Sequence, residues 1–210
     1  MDVYMTVVLG TGPGPGPLET ALAGAFPDRT PFFARMDPRT GLLSNLPPRD
    51  SRVLVQPLLL LPGITYGRLR AQLEGRFSAL RVAAPLLRSD GDGKVLAHAL
   101  ERVLEPPALL IAHGAEDGLY RPLALALKPG YTLVSGTPHL PEGLPPAVTL
   151  APLLLTRGRH RKKDPACWQG FLEAAGYHAE ARDLYLTELP EVRAMFEAHS
   201  RQALSEEVNL

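Results

Sequence analysis

The second half of this chain repeats its first half. Among its 210 residues, Thr6-Val-Val-Leu-Gly-Thr-Gly12 resembles Ala108-Leu-Leu-Ile-Ala-His-Gly114 at an offset of 102 positions. Val53-Leu-Val-Gln-Pro-Leu-Leu-Leu60 resembles Val148-Thr-Leu-Ala-Pro-Leu-Leu-Leu155 at an offset of 95. An internal repeat of roughly 100 residues is the size of a small domain. The repeat therefore predicts two similar halves.

The two halves differ at two polar positions. In this alignment Thr11 lies opposite His113, and Thr65 lies opposite His160. Both positions hold threonine in the first half and histidine in the second half. The asymmetry marks the second half as the place where chemistry is expected.

Composition limits the classes of protein that the chain can belong to. The chain has 22 basic and 22 acidic residues, so no global positive charge predicts binding to nucleic acid. Cys167 is the single cysteine, which fits a reducing compartment. No apolar run of about 18 residues predicts a membrane helix, and Met1–Gly16 lacks the features of a secretory signal. We therefore expect a soluble cytoplasmic protein, with homo-oligomer formation left open.

Short apolar runs alternate with segments of helical periodicity. The runs predict strands at 3–10, 30–34, 53–56, 80–84, 108–112, 132–134, 148–150 and 180–185. Alternating strands and helices predict the α/β class, with two similar subdomains, a parallel sheet flanked by helices in each, and a cleft between them. Pro106-Pro107 sets the boundary, which gives an N-terminal half at 1–105 and a C-terminal half at 106–210.

The glycine- and proline-rich segment Gly10–Gly16 lies between a predicted strand and a predicted helix. It matches neither the Walker pattern nor the dinucleotide fingerprint, and its prolines remove backbone donors that a phosphate would need. We favour a rigid loop that lines a ligand cleft, with phosphate binding as the alternative.

Two histidines follow predicted strands of the second half. His113 is followed by Gly114 and by an acid at Glu116. Neutral imidazole can bind a divalent transition metal or accept a proton, although a lone histidine is more often structural. His160 lies in a run with five basic residues in seven positions, which are Arg157, Arg159, Arg161, Lys162 and Lys163. This run predicts either a solvated loop or a surface that binds carboxylates.

Five segments resemble the anaerobic cobalt chelatases, which are class II chelatases that act on sirohydrochlorin. In chain order the segments are Val55-Gln-Pro-Leu58 with Pro62-Gly63 and Tyr66, Pro85-Leu-Leu with Ser89-Asp90, His113-Gly114 with Glu116, Gly158 and His160 with Asp164, and Trp168 with Leu172–Tyr177. The resemblance implies that His113 and His160 face one another across the cleft and hold the incoming ion. Glu116 is a third candidate ligand.

The resemblance also implies a flat, carboxylate-rimmed tetrapyrrole as substrate. We predict that it contacts Thr11, Thr65, Tyr66 and Ser135, and that Arg157, Arg159 and Arg161 pair with its carboxylates. Leucines at 58–61 and 153–155 are predicted apolar walls. Compared with the family it resembles, this chain lacks two acids, at Thr65 and at Ser135.

The predicted activity is a lyase-type metal chelatase. It inserts a divalent metal, Co²⁺ in the first instance and Fe²⁺ or Ni²⁺ as alternatives, into a sirohydrochlorin-type ring for cobalamin synthesis, without a nucleotide. His113 and His160 are the predicted catalytic residues. The missing acids leave open a weakened activity, or a non-catalytic relative that binds a tetrapyrrole or a metal. An enzyme acting on phosphate esters or nucleotides is the third alternative.

Overall fold

The computed structural model of this protein describes residues 1–10, 15–112, 117–155 and 160–206. It contains two β-sheets of mainly parallel strands with helices around them. The α/β class and the two similar sheets that the repeat predicts are confirmed. Within the described ranges, no helix is both long enough and apolar enough to cross a bilayer.

The first sheet has five strands in the order β3-β2-β1-β4-β5. They are β1 (Asp2–Leu9), β2 (Thr30–Met36), β3 (Leu43–Ser44), β4 (Arg52–Pro57) and β5 (Ala79–Val82). All neighbours are parallel except the short edge strand β3, which pairs antiparallel with β2. The inner strands β1 and β4 are buried almost without a break and are mostly apolar, because both faces of a parallel sheet are covered.

Three helices belong with the first sheet. They are α1 (Pro17–Gly24), α2 (Ile64–Leu73) and α6 (Pro190–Ser205). Pro17 starts α1, at a helix position where the missing N–H costs nothing. α2 buries Leu69 and Leu73, which are one turn apart and pack in the core of the first sheet.

The second sheet has four parallel strands in the order β7-β6-β8-β9. They are β6 (Ala108–Ala112), β7 (Tyr131–Ser135), β8 (Ala147–Pro152) and β9 (His178–Ala181). Every residue of β6 is buried, as a central strand of a covered sheet requires. Trp168 and Leu172 pack against the core of this sheet.

Three helices belong with the second sheet, namely α3 (Asp90–Val103), α4 (Arg121–Ala126) and α5 (His160–Ala174). Ser89 caps α3, because its hydroxyl accepts the Asp92 N–H while the Asp92 carboxylate accepts the Ser89 N–H. α3 approaches α4 so closely at Gly93 that a Cβ there would lie 2.2 Å from the Pro122 carbonyl oxygen.

The compact units do not coincide with the two halves of the sequence. One unit contains Met1–Arg88 and the C-terminal segment from Val192, and the other contains Ser89–Glu191. Along the sequence, all strands of the first sheet come before the predicted boundary at 105 and 106, and all strands of the second sheet come after it. However, α3 belongs with the second sheet and α6 with the first. The reason lies in specific contacts: α3 packs on α4 through Gly93, and Ser200 of α6 bonds to the first sheet.

Some predicted element bounds are wrong. The strand predicted at 180–185 is β9 at His178–Ala181, and Tyr185 lies outside it with its hydroxyl bonded to the Asp183 carboxylate. β3 and α4 were not predicted. The last helix begins at Pro190 and buries Val192 and Phe196, as expected.

Candidate functional site

The carboxyl ends of β6 and β8 lie side by side in the second sheet. Ile111 of β6 is the register partner of Pro152 of β8. The pairing continues one residue further, because the Leu153 N–H donates to the Ile111 carbonyl at 2.9 Å. Ligands of α/β proteins bind beyond the carboxyl ends of parallel strands. His113 follows β6 by one residue, and the segment that leads to His160 follows β8.

Half of the predicted site residues lie outside the part of the chain that the structure describes. Thr11, His113, Glu116, Arg157 and Arg159 are in this group. His160 and Arg161 are the first two residues of α5, but their side chains are likewise outside the described set. The pairing of His113 with His160 around one ion therefore stays a prediction.

The strand registers correct the alignment of the two halves. Leu58 N–H donates to the Val7 carbonyl at 2.8 Å, just as Leu153 N–H donates to the Ile111 carbonyl. Val7 is thus the counterpart of Ile111. Counting two residues onward from each of them aligns Leu9, and not Thr11, with His113. Side chains alternate along a strand, so a slip of two residues keeps the same faces and hides the error in the sequence.

This correction changes what the first half presents at its carboxyl edge. By this count Leu9, an apolar side chain that is 42% exposed, aligns with His113 of the second-half sequence. Thr65 is the second residue of α2, whereas His160 is the first residue of α5, so the assignment of Thr65 opposite His160 stays a prediction. The first half therefore has neither imidazole at the corresponding positions.

Tyr66, also in the first turn of α2, is half-buried. Its hydroxyl donates to the Ala83 carbonyl at 3.3 Å, which ties α2 to the segment after β5. Burial raises the pKa of the Tyr66 hydroxyl, and the charges of Arg70 and Arg88 act in the opposite direction. The hydroxyl of Tyr66 is therefore a neutral group that already has a structural partner.

The predicted leucine walls are only partly available to a ligand. Leu58, Leu59 and Leu153 are 5%, 7% and 2% exposed. The Leu59 carbonyl also accepts the Leu86 N–H at 2.9 Å. These leucines belong to the core or to the backbone hydrogen-bond ladder of the sheet, because they continue strands that are buried on both faces. The partly exposed leucines after these strands include Leu154.

The residues on either side of the glycine- and proline-rich loop are held by hydrogen bonds. Gly10 N–H donates to the Met36 carbonyl at 3.0 Å. Gly16 N–H donates to the Glu19 carboxylate at 2.7 Å, and the same carboxylate pairs with Arg35 at 2.5 Å. The Glu19 and Arg35 side chains are only 8% and 15% exposed, so the pair is shielded from solvent. Residues 11–14 of the predicted loop lie outside the described residues.

Ser135 lines a small cavity at the carboxyl edge of the second sheet. Ser135 ends β7 and is the register partner of Ala112, the last residue of β6. The cavity has a volume of about 250 Å³, and its lining residues are Ala112, Tyr120, Leu133, Val134, Ser135 and His139. Ser135 is therefore a predicted substrate contact that lies beside a cavity. This cavity is next to β6, the strand that precedes His113 in the chain.

His139 is a polar residue of this edge that the sequence prediction missed. It lies in no periodic segment, and its only sequence signal is its place four residues after the last residue of β7. Among the described side chains, no group of three or more His, Cys, Asp or Glu residues could hold a metal ion.

Comparison with known proteins identifies the fold. The chain is 31% identical over 157 residues to the sirohydrochlorin cobaltochelatase CbiKC of Nitratidesulfovibrio vulgaris. The aligned region covers 60% of this chain but only 56% of that protein, which is less than two thirds of its length. No protein-family model matches the sequence.

Solved chelatase structures match almost the whole chain. CbiX, the terminal enzyme of siroheme biosynthesis in denitrifying bacteria, superposes with a TM-score of 0.64 at 22% identity, over 98% of this chain and 100% of that one. SirB from Bacillus subtilis with Fe³⁺ has a TM-score of 0.61 at 15% identity, over 98% and 96%. SirB of subspecies spizizenii with cobalt has 0.58 at 16%, over 97% and 95%. The two-sheet fold of this chain is therefore the fold of these solved chelatase structures.

Proposed function

We propose that this protein inserts a divalent metal ion, Co²⁺ in the first instance, into a sirohydrochlorin-type tetrapyrrole. The observation that carries the proposal is the adjacent ends of β6 and β8, held by the Leu153–Ile111 hydrogen bond. His113 and the segment before His160 leave the sheet from these two neighbouring strands. The likeness to cobaltochelatase CbiKC supports the same reaction.

The proposed chemistry needs only ligand exchange and proton transfer. The ring loses two N–H protons and gains one M²⁺ ion, with no change of oxidation state. One imidazole of the pair His113 and His160 binds the ion as it loses water, while the other accepts the two ring protons in turn and releases each to water. Both roles require the neutral form of histidine, so insertion should slow as the pH falls below the imidazole pKa. No nucleotide takes part.

The ring would be held by the basic residues before and within the first turn of α5. Arg157, Arg159 and Arg161 would form charge-assisted hydrogen bonds with the ring carboxylates. Replacing Arg159 and Arg161 with alanine should weaken ring binding and leave the fold intact. Arg49 and Arg68, both exposed, provide a control with the same loss of charge.

A second candidate function is a carrier or sensor that binds the ring or the metal without catalysis. The absence of a carboxylate from Leu58–Gly67, together with Ser135 in place of the second acid, favours it. Proton acceptors near the ring would then be fewer, and binding would not lead to insertion.

One experiment separates the two candidates. Purified protein is mixed with sirohydrochlorin and Co²⁺ without oxygen, and the absorbance spectrum is followed over time. Insertion that is lost in His113→Ala, while ring binding survives, supports the chelatase. Ring binding without a spectral change on addition of Co²⁺, Fe²⁺ or Ni²⁺ supports the carrier. A wild type that binds no ring and no metal contradicts both.

A further inference from the structure

Two exposed arginines, Arg70 and Arg88, flank Tyr66 near the carboxyl end of the first sheet. Tyr66 and Arg70 are four residues apart on α2, so their side chains are neighbours on one face of the helix. Long side chains on a helix lean toward its amino end, which directs Arg70 toward Tyr66. α2 begins at Ile64, shortly after β4 ends at Pro57, so its first turn lies at the edge where α/β proteins bind ligands.

Arg88 reaches the same place through the segment that follows β5. The Leu87 N–H donates to the Leu60 carbonyl at 2.9 Å, so this segment continues beside the extension of β4. The Tyr66 hydroxyl donates to the Ala83 carbonyl at 3.3 Å, which fixes α2 on the same segment. One arginine therefore comes from the helix after β4, and the other comes from the chain after β5.

A carboxylate of the chain itself already lies beside these arginines. Glu206 Oε1 is 4.0 Å from Arg88 Nη1, and both side chains are more than half exposed. Burial raises the pKa of the Tyr66 hydroxyl most, the charges of both arginines lower it, and the charge of Glu206 raises it. All three charged groups are therefore close enough to Tyr66 to act on its hydroxyl.

Arg81 fixes the position of Glu206. Its guanidinium, in β5, donates to the carbonyl of Ala203 at 2.9 Å and to the carbonyl of Glu206 at 2.7 Å, and so holds the end of α6. The fold thus brings an acid to the two arginines. The ion pair of Glu206 with Arg88 is long and exposed, and such pairs contribute little to stability. A carboxylate of a ligand can therefore displace it.

We propose that Arg70 and Arg88 bind a rim carboxylate of the tetrapyrrole, and that Glu206 occupies their site until the ring arrives. The planar guanidinium of arginine presents paired N–H donors that match a carboxylate. The site adds to the carboxylate contacts that we predict for the basic run at the start of α5. That the ligand is a tetrapyrrole rests on the proposed chelatase function, whereas carboxylate binding by the two arginines does not.

The test uses a probe that is not a tetrapyrrole and a reporter that lies at the site. Benzenehexacarboxylate, a flat ring rimmed by carboxylates, is titrated at low salt into the whole isotope-labelled protein. The reporter is the NMR signal of the Gly67 N–H, which donates to the Gly63 carbonyl in the first turn of α2. This local signal separates binding here from binding at the basic run of α5.

We expect the Gly67 signal of the wild type to shift as the probe binds. Arg70→Gln and Arg88→Gln should each raise the Kd read at Gly67 by about three- to tenfold, because each removes a charge-assisted hydrogen bond. Glu206→Gln should lower this Kd by about two- to fivefold, because it removes the competing charge. It keeps a side-chain oxygen that can accept the Gln202 amide, as Glu206 does at 2.9 Å.

Each kind of variant has a control with the same change of charge. Arg49→Gln removes a positive charge from an exposed position just before the amino end of β4. Glu105→Gln removes a negative charge from an exposed position just before the amino end of β6. Neither control should change the Kd read at Gly67, and circular dichroism verifies the fold of every variant. An equal effect of Arg49→Gln and Arg88→Gln would overturn the proposal, as would a Gly67 signal that the probe does not move.

Metal-free sirohydrochlorin is the second probe, and its absorbance gives its Kd for each variant. The same order of affinities as with benzenehexacarboxylate supports the ring as the ligand. A wild type that binds benzenehexacarboxylate at Gly67 but no sirohydrochlorin keeps the carboxylate site and contradicts the chelatase proposal. If Arg70→Gln and Arg88→Gln bind both probes as the wild type does, the site is wrong and the chelatase proposal is unaffected.

Discussion

The Ser200 hydroxyl donates a hydrogen bond to the side-chain oxygen of Gln56 at 2.7 Å, across 144 residues of sequence. The Tyr4 hydroxyl lies 3.1 Å from the same Ser200 oxygen. The amide nitrogen of Gln56 donates to the carbonyls of Pro57 and Ala84, each at 3.0 Å. These bonds form a buried polar chain that holds α6 on the two central strands of the first sheet.

Ser200→Ala should lower the free energy of unfolding. It leaves the Gln56 oxygen and the Tyr4 hydroxyl without their partner inside the core, and an unsatisfied buried polar group costs about 1–3 kcal/mol. Urea denaturation measures the change. Ser205→Ala is the control, because Ser205 is exposed and bonds only within α6 in the described structure. Equal midpoints for the two variants would contradict the role given to Ser200.

The stability of the fold should fall at alkaline pH through Tyr4. Burial raises the pKa of the Tyr4 hydroxyl from 10.0 to about 12. A raised pKa favours the protonated form in the folded state, so its contribution is complete below pH 10 and is lost as the pH rises toward 12. At 1.36 kcal/mol per pKa unit, the loss is about 3 kcal/mol.

The measurement for Tyr4 is the free energy of unfolding of wild type and Tyr4→Phe between pH 8 and pH 12. Other tyrosines and lysines titrate in both proteins, so the difference between the two isolates Tyr4. The wild type should lose more stability than the variant over this range. Parallel curves would mean that Tyr4 does not control the alkaline transition.

Gly93→Ala should destabilise the second unit. The new methyl group would lie 2.2 Å from the Pro122 carbonyl oxygen and 2.9 Å from the Leu123 nitrogen. Both atoms are backbone, so α3 and α4 must move apart, and overpacking of this kind typically costs about 1–3 kcal/mol. Thermal or urea denaturation measures the effect.

Gly170, within α5, is the matched control for Gly93. A Cβ built there meets no atom within 4 Å. Replacing glycine by alanine inside a helix removes a cost of roughly 0.5–1 kcal/mol, so Gly170→Ala should stabilise. Opposite signs for the two variants are the expected result.

Ser135→Glu should increase the rate of metal insertion if the protein is a chelatase. The side chain lies at the cavity opposite Ala112, where a carboxylate could accept a ring proton or bind the ion. We expect a gain of about tenfold, below the roughly 10²–10⁴-fold of an evolved acid–base group. The anaerobic absorbance assay measures it.

Thr132→Glu adds the same charge to the same strand at an exposed position near its amino end. It should leave the insertion rate unchanged. A similar gain in both variants would mean that net charge, and not the position of the carboxylate, limits the reaction.

The sequence predicts those elements of the fold that bury continuous apolar runs. β6 is a run of five buried residues, and it is found where it was expected. α4 was missed because its six residues bury only Leu123, which is too little to give a helical period. β3 has two residues and no apolar pattern. Bounds also differ, because the strand predicted to reach Tyr185 ends at Ala181.

The candidate site was predictable only where chemistry follows a strong strand signal. The sequence points to His113 and His160 because histidine follows an apolar run or its extension in both cases, and their role stays a prediction. His139 gave no such signal, since its place at the cavity depends on β6 and β7 being neighbours and on Trp168 packing beside it. The assignment of Thr11 opposite His113 failed because alternation along a strand cannot distinguish a shift of two residues.

The grouping of α6 with the first sheet has a consequence for synthesis on the ribosome. The strands of the first sheet emerge early, but Ser200 and the rest of α6 come after all four strands of the second sheet. Until then Gln56 and Tyr4 have no Ser200 to bond to, and the young sheet lacks its contacts with α6. Contacts that span this much sequence slow folding. A nascent chain truncated before residue 190 should therefore be more sensitive to protease in its first 88 residues than the same residues are in the finished protein.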